Sequence, residues 1–272
     1  MSDLAICATC AVQFDVPVDD PPASCPICSD PRQYVGHGGQ RWTSLDELRR
    51  ENRSVTRPQG DFLGVGSDGH IGIGQRALLV PYGDSNLLWD CVALLDDALV
   101  EEIEARGGLA GIVISHPHYW STMVDWAHRF DCPIHLPRVD EPWVMRPDPA
   151  ISFWDGDTLA LDHGLSVHRL GGHFPGASAL HVPAVDGRRA ALLTGDLPLA
   201  AADRRWVSFM WSYPNMVPLP ADEVRRIAGI LAGLDFDVLH SAFWDQQVDD
   251  AWSAVQRSAD RYIAALQSIP EV

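Results

Sequence analysis

Residues able to bind a metal recur just beyond apolar, strand-like runs of this chain. His116 and His118 follow GIVIS, His173 follows SVHRLGG, Asp196 follows ALLTG, and His240 follows FDVL. Loops at strand ends are where a rigid scaffold presents chemistry, so this recurrence restricts the fold more than any single histidine does. His116 and His118 lie two apart, which in an extended segment would project both side chains to one side, with Pro117 restricting the backbone between them. A third histidine and a carboxylate from distant loops complete a four-ligand sphere. The expected ligands are therefore His116, His118, His173 and Asp196, with His240 as a further candidate.

The runs between these residues set the fold class. DFLGVG, QRALLVPY, NLLWDCVALL and GLAGIVIS read as strands, with the helix ALVEEIEARG between the last two. The second half repeats the style. TLALDHGLSVHRLGG, SALHVPAV and RAALLTGD suggest strands, helical ADEVRRIAGILAG precedes the strand FDVLHSAF, and DDAWSAVQRSADRYIAALQ is helical. Strands grouped in each half with helices outside predict an α+β protein of two packed sheets covered by helices.

The first residues read as a separate unit. Cys7-Ala8-Thr9-Cys10 and Cys25-Pro26-Ile27-Cys28 are separated by fourteen residues, which can bring four thiolates into a tetrahedron. A segment this short builds no adequate core without a staple, and in a reducing cytoplasm metal binding, not a disulfide, supplies the folding energy. The spacing resembles zinc ribbons and rubredoxin-like modules. Rubredoxin knuckles usually place glycine after the second cysteine of each pair, whereas Ala11 and Ser29 stand here, which weakens an electron-transfer reading in favour of structural zinc. Cys91 and Cys132 read as core residues. The expected boundaries are 1–42 for the ribbon, 43–59 for a helix capped by Ser44 and Glu47 followed by a linker RSVTRPQGD, and 60–272 for the main domain.

Composition excludes some classes. With 46% hydrophobic residues and a formal charge of −17, the chain reads as a globular protein that repels phosphate backbones, so no nucleic-acid partner is expected. No apolar run approaches the roughly 20 residues that span a bilayer, and MSDLAICATC lacks the regions of a signal peptide. The expected location is the cytoplasm, with no membrane partner.

SHPHYW, GGHFPGAS and LLTGD together resemble the metallo-β-lactamase-fold superfamily over roughly residues 60–272. The resemblance implies a four-layer αβ/βα sandwich with its site along one edge of the sheets. It implies that His116, His118 and His173 are the three histidines of the first metal position and that Asp196 is the bridging aspartate. In that superfamily the first motif reads H-x-H-x-D-H. Trp120 and Ser121 occupy the places of the aspartate and histidine that serve a second metal, and neither is an adequate ligand. His240 is the candidate for the remaining second-site histidine, although the superfamily usually places that residue a short turn after the strand.

A mononuclear His/His/His/Asp site suits zinc and hydrolysis of a small molecule, with Asp196 as the catalytic carboxylate. The same set suits mononuclear iron, where a rubredoxin-like module would serve as electron donor to an oxygenase. A non-catalytic binding or regulatory protein on the same fold is the third reading. Tyr119, Trp120, Trp206 and Trp211 crowd the motifs and are expected to line the substrate pocket.

Overall fold

The apolar runs pair as strands in a computed structural model of the chain, which describes residues 3–185 and 187–267. Two compact units result, Met1–Asp155 and Gly156–Val272.

The first unit begins with β1 (Leu4–Cys7), β2 (Gln13–Pro17), the short helix α1 (Pro26–Ser29) and β3 (Trp42–Thr43), the strands forming an antiparallel sheet in the order β2-β1-β3. Helix α2 (Leu45–Glu51) follows, and its Ser44 cap accepts the Glu47 N–H at 3.3 Å as the capping-box pattern predicts. Glu47 turns instead to the Thr43 hydroxyl, which donates to it at 2.7 Å. Leu45 and Leu48 of α2 share an apolar cluster with Ile6 and Ala11 of the ribbon and with Ile71 and Ala93 beyond it.

Within RSVTRPQGD, expected as linker, SVTRPQ is strand β4 (Ser54–Gln59). It pairs antiparallel with β5 (Phe62–Ser67) around a turn at Gly60, whose φ of +59° suits glycine. Its Pro58 is tolerated because β4 is the edge of the sheet. β6 (Ala77–Tyr82) and β7 (Ser85–Trp89) continue the antiparallel run. The chain then crosses through α3 (Asp97–Ala105) to β8 (Gly111–Val113), and through α4 (Met123–Phe130) to β9 (Ile134–Pro137) and β10 (Ile151–Trp154). These last strands are parallel, giving seven strands in the order β10-β9-β8-β7-β6-β5-β4. Buried runs such as Leu87-Leu88-Trp89 and Ile112-Val113 fit central strands.

The second unit opens with β11 (Thr158–Ala160), β12 (Ser166–Arg169), β13 (Ser178–Val182) and β14 (Ala191–Thr194), an antiparallel series. Two small hairpins follow, β15 (Leu199–Ala200) with β16 (Val207–Ser208) and β17 (Met210–Ser212) with β18 (Val217–Pro218). Helix α5 (Ala221–Ala232) leads to β19 (Val238–His240), parallel to β14, and β20 (Gln247–Asp249) completes six strands before α6 (Ala251–Gln267). Val224, Ile227, Ala228 and Leu231 of α5 recur at helical spacing, and they pack with Ala251, Ala254, Val255 and Ala259 of α6 and with Leu192 and Leu239 of the sheet. Among the described residues no helix is long and apolar enough to cross a membrane.

Gly172 shows how tightly this core grips a loop. It has φ +76°, and a Cβ there would meet Leu197 and Leu219 at 3.0 Å and Ile227 at 3.1 Å. Gly172→Ala is expected to destabilise the protein by about 1–3 kcal/mol through backbone strain and crowding together, read as a lower urea midpoint. An unchanged midpoint would contradict this packing.

Candidate metal centres

The four ribbon cysteines converge as their spacing predicts. Their sulfurs lie within 4.8 Å of one another, with Cys7 3.6 Å from Cys28 and Cys10 3.8 Å from Cys25. The two pairs reach this geometry differently. After Cys10 the chain needs a left-handed residue, and Ala11 supplies it at φ 64°, its N–H donating to the Cys7 carbonyl at 2.8 Å. The second pair is set by α1, with Cys25 at its N-cap and Pro26 starting it, so Ser29 needs no such turn. The Gln40 amide donates to the Cys7 sulfur at 3.2 Å. Hydrogen bonds from Cys10, then Cys25 and Cys28, hold the Cys7 thiol far below its ordinary value, while the same sharing, with Cys25 first, pushes Cys10 up. A cation amid the four would remove that competition by favouring every thiolate.

Cys91 and Cys132 are buried outside this cluster. Burial raises the Cys91 thiol well above its usual value and pushes Cys132 up to about 11. Neither suits a nucleophile.

The first histidine pair follows β8. His116 is extended, but Pro117–Tyr119 form a 3-10 turn, so the wholly extended HPH expected from sequence is not formed. Proline favours the turn because its fixed φ suits the first helical position. His116 and His118 still face each other, ring centroids 5.1 Å apart, and both are buried. The Ser115 hydroxyl lies 2.9 Å from Nδ1 of His116, leaving Nε2 for a ligand role. Ser115 is held in turn by its N–H, which donates to the Asp90 carboxylate at 2.8 Å. Asp90 is fully buried, and desolvation pushes its carboxyl up to about 6 against the Ser115 N–H, His116 and the buried Arg76. Burial likewise brings Arg76 down to about 10.

His173 and Asp196 lie in the second unit. His173 Nδ1 meets the Trp211 carbonyl at 2.8 Å, which fixes the tautomer, and its Nε2 lies 3.5 Å from the Asp196 carboxylate. The Tyr213 hydroxyl donates to the Asp196 backbone carbonyl at 3.0 Å and to that of Ser208 at 3.3 Å. Burial, and then the charge of Asp196, raises the Tyr213 phenol well above its usual value, so it stays a donor. His168 and His181, on the strands that flank the His173 loop, make other contacts. His168 meets Ser166 at 2.9 Å and His181 meets the Asp235 carbonyl at 2.7 Å.

His240 is buried at the end of β19, in register with Leu193 and Gln247, and falls outside the described groups of candidate ligands. Tyr119 and Trp120 are buried, the Trp120 indole nitrogen without a hydrogen-bond partner. Trp206 lies beneath Arg261, whose guanidinium is 3.6 Å from the ring centroid, with Arg257 at 5.6 Å. Trp211 packs on the second unit's core. Ser115, Asp90, Tyr213 and the Trp211 carbonyl were not marked as site groups in the sequence, and a backbone carbonyl leaves no residue-type signal at all.

Comparison with solved structures gives the class. VMB-1 matches with TM-score 0.60 at 14% identity, covering 79% of this chain and 98% of that one. DIM-1 metallo-β-lactamase, in a structure exposed to ceftazidime, matches with TM-score 0.55 at 16% identity, covering 77% and 97%. A metallo-β-lactamase of Cronobacter sakazakii matches with TM-score 0.52 at 15% identity, covering 76% and 90%. The chain has the metallo-β-lactamase fold, as the motifs implied. No protein-family model matches it. It belongs to the family of the uncharacterized protein YmaE of Bacillus subtilis (strain 168), with which it is 44% identical over 266 residues, 97% of each chain.

Cobalt(II) added to metal-free protein is expected to produce the intense sulfur-to-metal charge-transfer absorption of a tetrathiolate site, and Cys25→Ser to remove it. Persistence of that absorption in the variant would show that these four sulfurs are not the ligands.

Proposed function

We propose that the chain is a metal-dependent hydrolase of a small-molecule substrate, with one metal ion held by His116, His118, His173 and Asp196. The observation that carries this reading is the tethering of two imidazoles from behind. Ser115 engages Nδ1 of His116 and the Trp211 carbonyl engages Nδ1 of His173, the outer support that ligating histidines use. Three imidazoles and a carboxylate fit zinc. The fold shared with metallo-β-lactamases supports the same reading.

Trp120 and Ser121 support a mononuclear site, since an indole and a neutral hydroxyl stand where a second ion would need strong donors. When bound, the metal lowers the pKa of a water to near 7 and polarises the scissile carbonyl or phosphoryl oxygen. The chain supplies the rest. Asp90 and Ser115 orient His116, Trp211 orients His173, and Tyr213 fixes the backbone that carries Asp196. Asp196 accepts the proton of the attacking water, because Trp120 occupies the place of the first-motif aspartate. Zinc in the ribbon and a reducing, cytoplasmic location belong to this reading.

The test is turnover of a panel of small esters, thioesters, lactones, lactams and phosphodiesters by the zinc-loaded chain. Asp196→Asn and His173→Ala are each expected to lower kcat/KM by about 10²–10⁴-fold, and a zinc chelator to abolish turnover reversibly. Oxygen consumption without hydrolysis would replace the proposal with a mononuclear iron oxygenase. Neither activity on any substrate, with a protein partner retained, would replace it with a binding role.

A further inference from the structure

The ribbon touches the first histidine motif directly. Gln13, the first residue of β2, is only 4% exposed, and its backbone N–H donates to the Ser121 carbonyl at 3.0 Å. Its side-chain amide donates to the Asp125 carboxylate at 2.9 Å, in the first turn of α4, while its amide oxygen accepts from Arg146. Arg146 closes the triangle by donating to the other Asp125 oxygen at 2.6 Å. Two residues along β2, the Asp15 N–H donates to the Met145 carbonyl at 3.2 Å. The ribbon thus grips the segment after His118 and the segment that bears Arg146.

The gripped residues follow the ligand turn immediately. Ser121 has φ 48°, a left-handed backbone unfavourable for a residue with a Cβ, and it is buried three residues after His118. Such a conformation persists only where surrounding structure over-determines it. With Trp120 and Ser121 unable to hold a second ion, metal ligation cannot anchor this stretch. Gln13 supplies an anchor from outside it.

Gln13 is in turn fixed by the cysteine cluster. The Cys7 N–H donates to the Val12 carbonyl at 2.9 Å, closing the first cysteine turn onto the residue before Gln13. A cation in the cluster therefore rigidifies the strand start that meets Ser121 and Asp125.

We infer that the ribbon is a positioning element for the His116–His118 turn, with Gln13 as its positioning residue, so that the ribbon contact raises the metal affinity of the histidine site. This rests on the reading that His116 and His118 ligate a metal.

The experiment uses the full chain and cobalt(II) in competition with a chromophoric chelator. The charge-transfer absorption of the cysteine cluster and the weaker ligand-field bands of the histidine site report the two sites separately. Gln13→Ala is expected to leave the cysteine-site absorption intact while weakening cobalt binding at the histidine site by about 10-fold or more, the size of effect seen when groups supporting metal ligands are removed. Gln13→Ala with Asp125→Ala is expected to weaken it by less than the two single effects combined, because the variants share the Gln13–Asp125 contact. Thr43→Val, which breaks the ribbon's hydrogen bond to α2 instead, is expected to leave histidine-site affinity unchanged. Should Gln13→Ala not fold, Asp125→Ala tests the contact from the motif side with the same expectation. Histidine-site affinity within twofold of wild type in the folded variant, or an equal loss in Thr43→Val, overturns the inference. Ligand-field bands unaffected by His116→Ala would instead overturn the underlying metal-site reading, and the inference with it.

Discussion

A buried carboxylate at the end of β7 governs the placement of the first candidate ligand histidine. Asp90 sits just past Trp89 with a left-handed backbone, φ 62°, and its N–H donates to the Val113 carbonyl at 2.9 Å. Its side chain takes the Ser115 N–H, and Ser115 then holds the His116 ring. A carboxylate without water is costly unless hydrogen bonds and a countercharge meet it. The Ser115 N–H and the charge of the buried Arg76 offset part of that cost, while desolvation still holds the carboxyl up at about 6, and the Ser115 contact fixes the chain where it leaves β8 just before His116.

The second unit solves the equivalent problem without a buried charge. The hairpin of β17 and β18 delivers the Trp211 carbonyl to His173, and Tyr213 reaches back to the Asp196 backbone. Gly172 lets the preceding loop press against Leu197, Leu219 and Ile227, where a side chain would not fit. Here packing fixes the loop and backbone carbonyls aim the rings. Both halves hold a histidine through its Nδ1, which is the shared chemical outcome of two different scaffolds.

The ribbon adds a third kind of constraint. Its sheet is too small to hold itself, so the cysteine cluster and the apolar contacts with α2, Ile71 and Ala93 stand in for a core. Its polar side is spent on Ser121, Asp125 and Arg146. The module is thereby fastened on one face by apolar burial and on another by directional hydrogen bonds.

The sequence by itself determined the fold class and the types of the candidate metal ligands. Two C-x-x-C pairs at their spacing specify four converging thiolates, and histidines at strand ends with TGD specify the candidate ligand types, because these signals lie in residue identity and short-range spacing. Helices α3, α5 and α6 were legible as runs of helical character between the strand-like segments. Only tertiary structure decided that SVTRPQ is an edge strand, since β4 has no apolar alternation and is held by its pairing with β5. It alone brought Ser115 and the Trp211 carbonyl to the histidines, because those partners are set by hydrogen bonds that residue type does not announce. The same holds for Gln13, 108 positions before Ser121 in the chain yet bonded to it: long-range pairing is set by how the ribbon packs, which no local pattern encodes.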